Sequence, residues 1–255
     1  KAVFEATDRL KFTLSGDYLD IDQAVTPTTM LAIDTSVGLG LLNNLCLVGV
    51  PLGVLCTSPR LGLAGVPTPF PALPPLSGVN VDGNPNNNRL PYDARFLTGD
   101  KDKSYATGNN FSKLENWGVA GIFDYDLTDN MHFKSITAYR KMNWKVGMDL
   151  DGSPLDILHT SFTMPQHEFS QEVQLAGTAF SDRVDYVIGG YYFKEAGHLH
   201  DYVTFPGVLL MIDGPNDLST EAEAIFAHLG IKFTDDLTII AGGRFTHEYK
   251  TFEGH

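Results

Sequence analysis

The clearest pattern in the sequence is an alternation of apolar and polar or small side chains in residues 220–250. Every second residue from Ile225 to Phe233 is apolar, and after a Thr-Asp-Asp turn the alternation resumes at Leu237 and continues to Phe245. This period of two predicts a hairpin of β-strands, each with one apolar face. Strands of soluble domains average only about five or six residues. The longer strands predicted here are typical of a sheet that crosses a lipid bilayer.

The same hairpin unit occurs four times along the chain. Each copy has Ser or Thr, then Asp, then a polar residue and an apolar residue that opens a strand, with the aspartates at Asp8, Asp129, Asp182 and Asp235. The last two intervals are both 53 residues (182 − 129 and 235 − 182), whereas the first is 121 (129 − 8). Ser-Asp and Thr-Asp favour tight turns because their short side chains bond to the nearby backbone. The repeat therefore predicts a meander of similar hairpins with an insertion in the first interval.

About eight strands are predicted, and their connections fall into two classes. The four Ser/Thr-Asp turns are short, whereas the other connections are predicted to be long loops, at about 23–112, 150–165 and 200–219. Outer-membrane barrels have short turns on the periplasmic rim and long loops outside. The predicted fold class is therefore all-β, an antiparallel meander of long hairpins that forms part of a transmembrane β-barrel with long extracellular loops. Aromatic residues near the strand ends, such as Tyr125, Phe133, Tyr191 and Tyr249, are typical of interfacial girdles.

Composition excludes some classes of function. The net charge of the 255 residues is −13, which argues against nucleic acid as a partner. The sequence has no run of 18 apolar residues that would predict a membrane-spanning helix. Ser153 and Ser170 have no recognisable His/Asp partners, so no enzymatic activity is predicted.

Four strand sequences carry a family resemblance: ITAYR (136–140), FSQEVQLAG (169–177), DYVIGGYYFKE (185–195) and AGGRFTHEYK (241–250). They resemble the β-barrel of TonB-dependent outer-membrane receptors, over roughly 113–250 and more loosely over 1–22. The resemblance implies a barrel of about 22 strands closed by a plug domain. It also implies the bacterial outer membrane, energised uptake of siderophore-iron, cobalamin, haem or an oligosaccharide, and no cofactor. The implied partners are outer-membrane lipid and a TonB-type energy-coupling protein, which would act through a plug region that the chain lacks.

The chain also departs from the family pattern. No plug sequence or coupling box is recognisable, the last residue is His255 rather than an aromatic residue, and about eight strands cannot enclose a plug. We therefore expect residues 1–255 to be a partial receptor barrel. Two alternatives stay open: a complete eight-stranded outer-membrane protein with a structural or adhesive role, and a soluble β-sandwich binding module. The sandwich would pack Ile225, Leu229 and Leu237 against a second sheet.

Six polar residues are predicted to face the lumen because they alternate with apolar neighbours. They could contact a solute or the plug, or they could simply form a hydrated, salt-bridged wall. These lumen-facing candidates are Glu172, Gln174, His228, Lys232, Arg244 and Glu248.

Two further sets of residues lie in predicted loops. Cys46 and Cys56 are the only cysteines, and an extracellular loop would favour a disulfide between them over two unpaired thiols. His198 and His200 are predicted to lie at the start of a solvated loop. Asp149, Asp151 and Asp156 resemble part of a calcium loop but lack its remaining ligands. No metal site is therefore predicted.

Overall fold

The protein forms one antiparallel sheet of eight strands in which neighbours in sequence are neighbours in space. The computed structural model describes residues 1–25, 28–36, 92–106, 108, 110–154, 158–205 and 210–255. Its strands are β1 (Ala2–Thr7), β2 (Leu10–Gln23), β3 (Phe111–Thr128), β4 (Met131–Asp149), β5 (His159–Ala179), β6 (Val184–Phe205), β7 (Leu210–Lys232) and β8 (Thr238–Gly254). A short 3-10 helix, Ala94–Phe96, lies between β2 and β3. The predicted fold class, an antiparallel meander, is confirmed.

The four Ser/Thr-Asp sequences lie at the short connections on one rim. The Thr7 and Thr128 hydroxyls accept hydrogen bonds from the backbone N–H groups of Arg9 and Asn130, each at 3.2 Å. These bonds provide the local stabilisation expected of Thr in a tight turn. Backbone bonds also join adjacent hairpins, since the Asp126 N–H donates to the Arg9 carbonyl at 2.9 Å.

Two predicted loop boundaries are wrong because the strands continue beyond them. β5 begins at His159, inside the loop predicted at 150–165, and β6 and β7 fill most of the loop predicted at 200–219. Polar residues occur on both faces of the sheet in these outer parts of β6 and β7, as at His198, Asp201 and Asp217, and they interrupt the apolar–polar alternation. Apolar alternation therefore ends before the hydrogen-bonded ladder does, and the sequence pattern underestimates strand length.

The cross-strand register divides the side chains between two faces. We call one the apolar face, and one row across it is Phe12, Phe123, Ser135, Val173, Gly190, Ile225 and Phe245. We call the other the polar face, and the adjacent row across it is Thr13, Ile122, Ile136, Glu172, Tyr191, Ala224 and Thr246. Ile225 and Phe245 are each 68% exposed, whereas Thr13 and Ala224 are buried. Most of the large exposed apolar residues of the strands therefore lie on the apolar face.

The sheet is open, and this decides between the alternatives left by the sequence. Among the described strands, β1 pairs only with β2 and β8 only with β7, so the first and last strands do not close a barrel. A second sheet is also absent from the part of the chain that the structure describes. Ile225, Leu229 and Leu237 are exposed rather than packed in a sandwich core. Neither a closed eight-stranded barrel nor a β-sandwich fits this arrangement.

Among the described residues, no helix has the length and apolar character needed to cross a bilayer.

Candidate functional site: the polar face and its rim

The polar face has an ion-paired cluster around Arg140 of β4. Its guanidinium donates to both carboxylate oxygens of Asp17, at 2.8 and 2.9 Å, and to Oδ1 of Asn116 at 3.0 Å. The Arg140 Nε lies 3.8 Å from the Glu168 carboxylate. The register places Asp17, Gly118, Arg140 and Glu168 in one row across β2–β5. Arg140 is thus held by partners on three other strands.

Gly118 allows this arrangement because it has no side chain. A Cβ at position 118 would lie 2.8 Å from one guanidinium nitrogen of Arg140 and 3.0 Å from its Cζ. Arg140 and Asp17 are separated by the whole width of β3, so their side chains must cross the position that a Cβ would occupy. With a side chain at position 118, the end of the Arg140 side chain would have to shift from its present position between Asp17 and Glu168.

A second cationic group lies on β8. The Arg244 guanidinium carbon is 5.4 Å from the ring centre of Tyr191 and 5.9 Å from that of Phe226. Its Nε donates to the Thr246 hydroxyl at 3.1 Å. Cations within about 6 Å of an aromatic ring are attracted by its electron-rich face. Arg244 therefore forms, with Tyr191 and Phe226, a patch of positive charge and aromatic surface.

All six candidates named from the sequence lie on the polar face. Glu172 and Ala224 share one row, while Gln174, Phe226 and Arg244 share the next. His228 and Lys232 follow Ala224 on β7 at even spacing, and Glu248 follows Arg244 on β8 in the same way. They do not converge on one point. The Gln174 amide donates to the Glu172 carboxylate, whereas the Lys232 amine donates to the Asp182 carbonyl at 3.0 Å.

Arg140, Asp17 and Glu168 are among the polar-face residues that the sequence analysis did not single out. The alternation in β4 is irregular, because Lys134, Ile136 and Ala138 share a face with Arg140. Asp17 is also 123 positions away along the chain. The sequence signal was the Arg at the end of the quoted sequence ITAYR, and the sequence of one strand does not identify the residues on other strands that pair with it.

The opposite rim, at the start of the β4–β5 connection, has a buried acidic cluster. Asp149, Asp151 and Ser153 are almost fully buried there. One Asp149 carboxylate oxygen accepts from the backbone N–H groups of Asp151 and Gly152, each at 3.0 Å. The other accepts from the Gly108 N–H at 2.9 Å. The carboxylate therefore orders its own loop and fastens a segment of the β2–β3 connection to it.

Asp151 extends the same network. Its carboxylate accepts from the Ser153 N–H and the Leu158 N–H, each at 3.0 Å, and its carbonyl accepts from the Tyr92 hydroxyl at 2.7 Å. Burial raises the pKa of Asp151 to about 6, with a further contribution from the charge of Asp149. Burial likewise raises the pKa of Tyr92 to about 12, again increased by the two carboxylates. The hydrogen bond from the Tyr92 hydroxyl holds Tyr92 against the β4–β5 connection.

Ligand atoms of Asp149, Asp151 and His159 lie within 4.8 Å of one another, a spacing that a metal ion could bridge. The Asp149 and Asp151 carboxylates already accept backbone N–H donors, and this bonding accounts for their positions without a metal. Asp156, the third aspartate of the calcium-like sequence, lies outside the described residues. We assign no metal to the cluster.

His198 and His200 lie within β6 and not at the start of a loop, so that prediction is wrong. His198 Nδ1 is 2.7 Å from the Asp217 carboxylate, and His200 bonds to Asp213. These imidazole–carboxylate pairs join β6 to β7 in a part of the sheet where apolar and polar residues no longer alternate. Cys46 and Cys56 lie outside the described residues, and their disulfide stays a prediction.

Comparison with known proteins decides the family. Residues 67–254, more than half of the chain, match the family described as TonB dependent receptor-like, beta-barrel. This chain belongs to the TonB-dependent receptor family. Receptors of this family are outer-membrane transporters of Gram-negative bacteria, not enzymes. The family resemblance in the strand sequences is therefore confirmed.

Solved structures of receptors share the fold. The ferric yersiniabactin uptake receptor FyuA from Yersinia pestis is similar at a TM-score of 0.51 and 18% identity, over 58% of this chain and 23% of that one. The ferric-catecholate import receptor Fiu from K12 E. coli is similar at a TM-score of 0.50 and 12% identity, over 99% of this chain and 34% of that one. The chain thus spans about a quarter to a third of the length of these receptors. No curated protein matches it by sequence.

Proposed function

We propose that this chain forms part of the wall of a receptor barrel that takes up a ferric chelate across the outer membrane. The observation that carries the proposal is the difference between the two faces of its sheet. One face exposes a continuous set of apolar side chains, whereas the other has the ion-paired cluster around Arg140 and the aromatic-backed cation Arg244. A sheet with these two faces suits a boundary between lipid and a polar lumen.

The assignment of the faces follows from the cost of burying charge. Arg140, Asp17, Glu168 and Arg244 would have to lose water if the polar face met lipid, and that costs several kcal/mol per group or more. Beside these groups the apolar face carries Tyr139 and Phe169, next to Arg140 and Glu168, and Phe245, next to Arg244. We therefore propose that the apolar face contacts lipid. The polar face, with Glu172, Gln174, His228, Lys232, Arg244 and Glu248, would line the lumen.

The ligand class rests on the relatives and on Arg244. The two similar receptors are named for ferric yersiniabactin and for ferric catecholate. Arg244 presents a guanidinium over Tyr191 and Phe226, which together provide positive charge and flat apolar surface. A negatively charged chelate with aromatic groups is complementary to such a patch. The patch favours such a chelate over cobalamin or a neutral oligosaccharide, and the names of the two receptors favour a ferric siderophore over haem.

Energy would come from a TonB-type coupling protein acting through a plug domain of the whole receptor. The connection between β2 and β3 would lie outside the cell, where a Cys46–Cys56 disulfide would form. Because the proton gradient drives such coupling, uptake should stop when the gradient is removed.

The experiment is uptake of radioactive iron by iron-starved cells that have or lack the gene for this chain. We expect cells with the gene to accumulate ferric siderophore severalfold faster, and a protonophore to abolish the difference. Arg244→Ala should reduce uptake, whereas Arg183→Ala, which removes an exposed cation from the β5–β6 turn, should not. Equal uptake in both strains, or uptake that a protonophore leaves unchanged, would contradict the proposal.

A further inference from the structure

Histidines and a carboxylate lie together where β6, β7 and β8 extend beyond the apolar side chains of the sheet. His198 and His200 are two residues apart on β6, so both lie on the side of the sheet that continues the apolar face. The register places Asp217 of β7 directly opposite His198. His255 follows β8, and its backbone N–H donates to the Pro215 carbonyl at 3.0 Å. We call His198, Asp217 and His255 the histidine cluster.

The Asp217 carboxylate joins the two imidazoles of this cluster. Its Oδ1 is 2.7 Å from His198 Nδ1, and its Oδ2 is 3.1 Å from His255 Nε2. Hydrogen bonds from His198 and then from His255 lower the pKa of Asp217, so the carboxylate is ionised at neutral pH. Among the described residues, these imidazoles are the only groups that bond to it, whereas backbone N–H groups hold the buried Asp149. Every partner of the Asp217 carboxylate is therefore itself a potential metal ligand.

The neighbouring His200 is engaged differently. It bonds to the Asp213 carboxylate through Nε2, and its Nδ1 is 3.0 Å from the Tyr202 hydroxyl, so both of its ring nitrogens are occupied. His198 and His255 each use one ring nitrogen, and the other has no hydrogen-bond partner in the part of the chain that the structure describes. Their side chains are 42% and 49% exposed. These two imidazoles can therefore turn toward a ligand at the cost of only the bond to Asp217.

We propose that His198, Asp217 and His255 bind a divalent transition-metal ion, such as Zn²⁺, on the outer side of the barrel wall. Imidazole nitrogen and carboxylate oxygen are ligands that zinc prefers, and water would complete the coordination. The N···O separations of 2.7 and 3.1 Å are close to the roughly 3 Å between neighbouring ligand atoms around an ion with bonds of about 2.0–2.2 Å.

Binding requires a small rearrangement of the histidine cluster. Because His198 and His255 bond to different oxygens of Asp217, their ring nitrogens would have to close on the ion from the two sides of the carboxylate. Each imidazole would bind the ion through the nitrogen that now donates to Asp217, and its proton would move to the other ring nitrogen. Both imidazoles would thus bind in the neutral form.

The site could not be predicted from the sequence because its residues are distant along the chain. Asp217 is 19 positions from His198 and 38 positions from His255, and only the pairing of β6, β7 and β8 brings them together. The cluster lies on the opposite side of the sheet from Arg140 and Arg244. The inference therefore goes beyond the proposed uptake and does not depend on which solute is transported.

The test is calorimetric titration of the detergent-purified protein with zinc chloride, and separately with calcium chloride. We expect saturable binding of one Zn²⁺ per chain that is weaker at about pH 5.5 than at about pH 7.5, because protons compete for the imidazoles. Ca²⁺ should bind at least about tenfold more weakly, since it prefers oxygen ligands. His198→Ala combined with His255→Ala should weaken Zn²⁺ binding by about tenfold or more. His198→Gln, which can still donate to Asp217, should fold normally and also lose affinity.

His247→Ala is the matched control, because His247 is another exposed histidine on the same side of β8, outside the cluster. We expect this variant, and His200→Ala, to bind Zn²⁺ as the unchanged protein does. Equal loss in His247→Ala, or Ca²⁺ binding as tight as Zn²⁺ binding, would overturn the proposal in favour of general attraction of cations. Absence of saturable Zn²⁺ binding, or full affinity in His198→Gln, would also overturn it. Binding is measured without transport, so failure here leaves the uptake proposal intact.

Discussion

The Arg140 guanidinium reaches across β3 to bind both carboxylate oxygens of Asp17, and it passes over Gly118 to do so. Planar two-point pairing of this kind is the strongest geometry for an Arg–carboxylate pair. Both side chains are more than a third exposed, so solvent weakens their attraction. The pair therefore contributes more to fixing three strands in register than to total stability.

Gly118→Ala should separate Arg140 from Asp17, because the new Cβ would lie 2.8 Å from the guanidinium. We expect the free energy of unfolding, measured by urea titration in lipid vesicles, to fall by about 1 kcal/mol. The loss should become much smaller in an Arg140→Ala background. Gly243→Ala is the control, since a Cβ there would meet nothing within 4 Å. Equal effects of Gly118→Ala in both backgrounds would show that Arg140 is not the cause.

Gly189 and Gly190 are consecutive strand residues with opposite tolerance of a side chain. A Cβ at Gly189 would lie 2.6 Å from the Val173 carbonyl and would also meet the Phe226 ring, which covers this glycine. At Gly190 the nearest atoms are 3.8 Å away. We expect Gly189→Ala to destabilise the fold by about 1–3 kcal/mol and Gly190→Ala to have little effect. Heat-modifiable gel migration would compare them, and similar melting of the two variants would contradict this packing.

Glu172 and Val173 test which face meets lipid. They are neighbours on β5, yet the register places Glu172 on the polar face and Val173 on the apolar face. Single cysteines at these positions, in a variant with Cys46 and Cys56 both replaced by serine, would carry an environment-sensitive fluorophore. Brominated acyl chains should quench the label at Val173→Cys strongly and the label at Glu172→Cys weakly. The reverse order would exchange the proposed lumen and lipid faces.

The contact between the β4–β5 connection and the segment around Tyr92, which we call the docked rim, should depend on pH because of Asp151. Its pKa is about 6 when buried, compared with 3.8 when free, so the folded rim binds more protons than the open one between these values. Stability of the docked rim is therefore highest below about pH 4, and it falls as pH rises to about 6, by on the order of 2 kcal/mol. Hydrogen exchange at the amides of Ser153 and Leu158, corrected for intrinsic rate, would measure the change.

The Asp102 amide is an internal control, because the pH dependence of its hydrogen exchange should run in the opposite direction. It donates to Asp100, and that bond lowers the pKa of the Asp100 carboxylate. The Asp102 amide should be protected from hydrogen exchange above about pH 4, and this protection should decrease as the pH falls further and Asp100 becomes protonated. Asp151→Asn should remove the pH dependence at Ser153. Persistence of the same dependence in this variant would assign it to another group.

The sequence by itself determined the meander, the positions of the short turns and the two-faced strands. These features follow from local chemistry: period-two alternation, and Ser or Thr followed by Asp at each turn. For the same reason the six polar candidates could be placed on alternating positions of their own strands. The ends of β5, β6 and β7 could not be predicted in this way, because polar residues interrupt the alternation on both faces there while the backbone pairing of the strands continues.

Only the tertiary structure decided which residues meet across strands. Asp17 lies within hydrogen-bonding distance of Arg140 because the register of β2, β3 and β4 aligns them, although they are far apart in the chain. Lys141 lies opposite His167 for the same reason. A one-residue shift of register would exchange the faces. Register depends on all the side chains packed across the sheet, and a single strand does not contain that information.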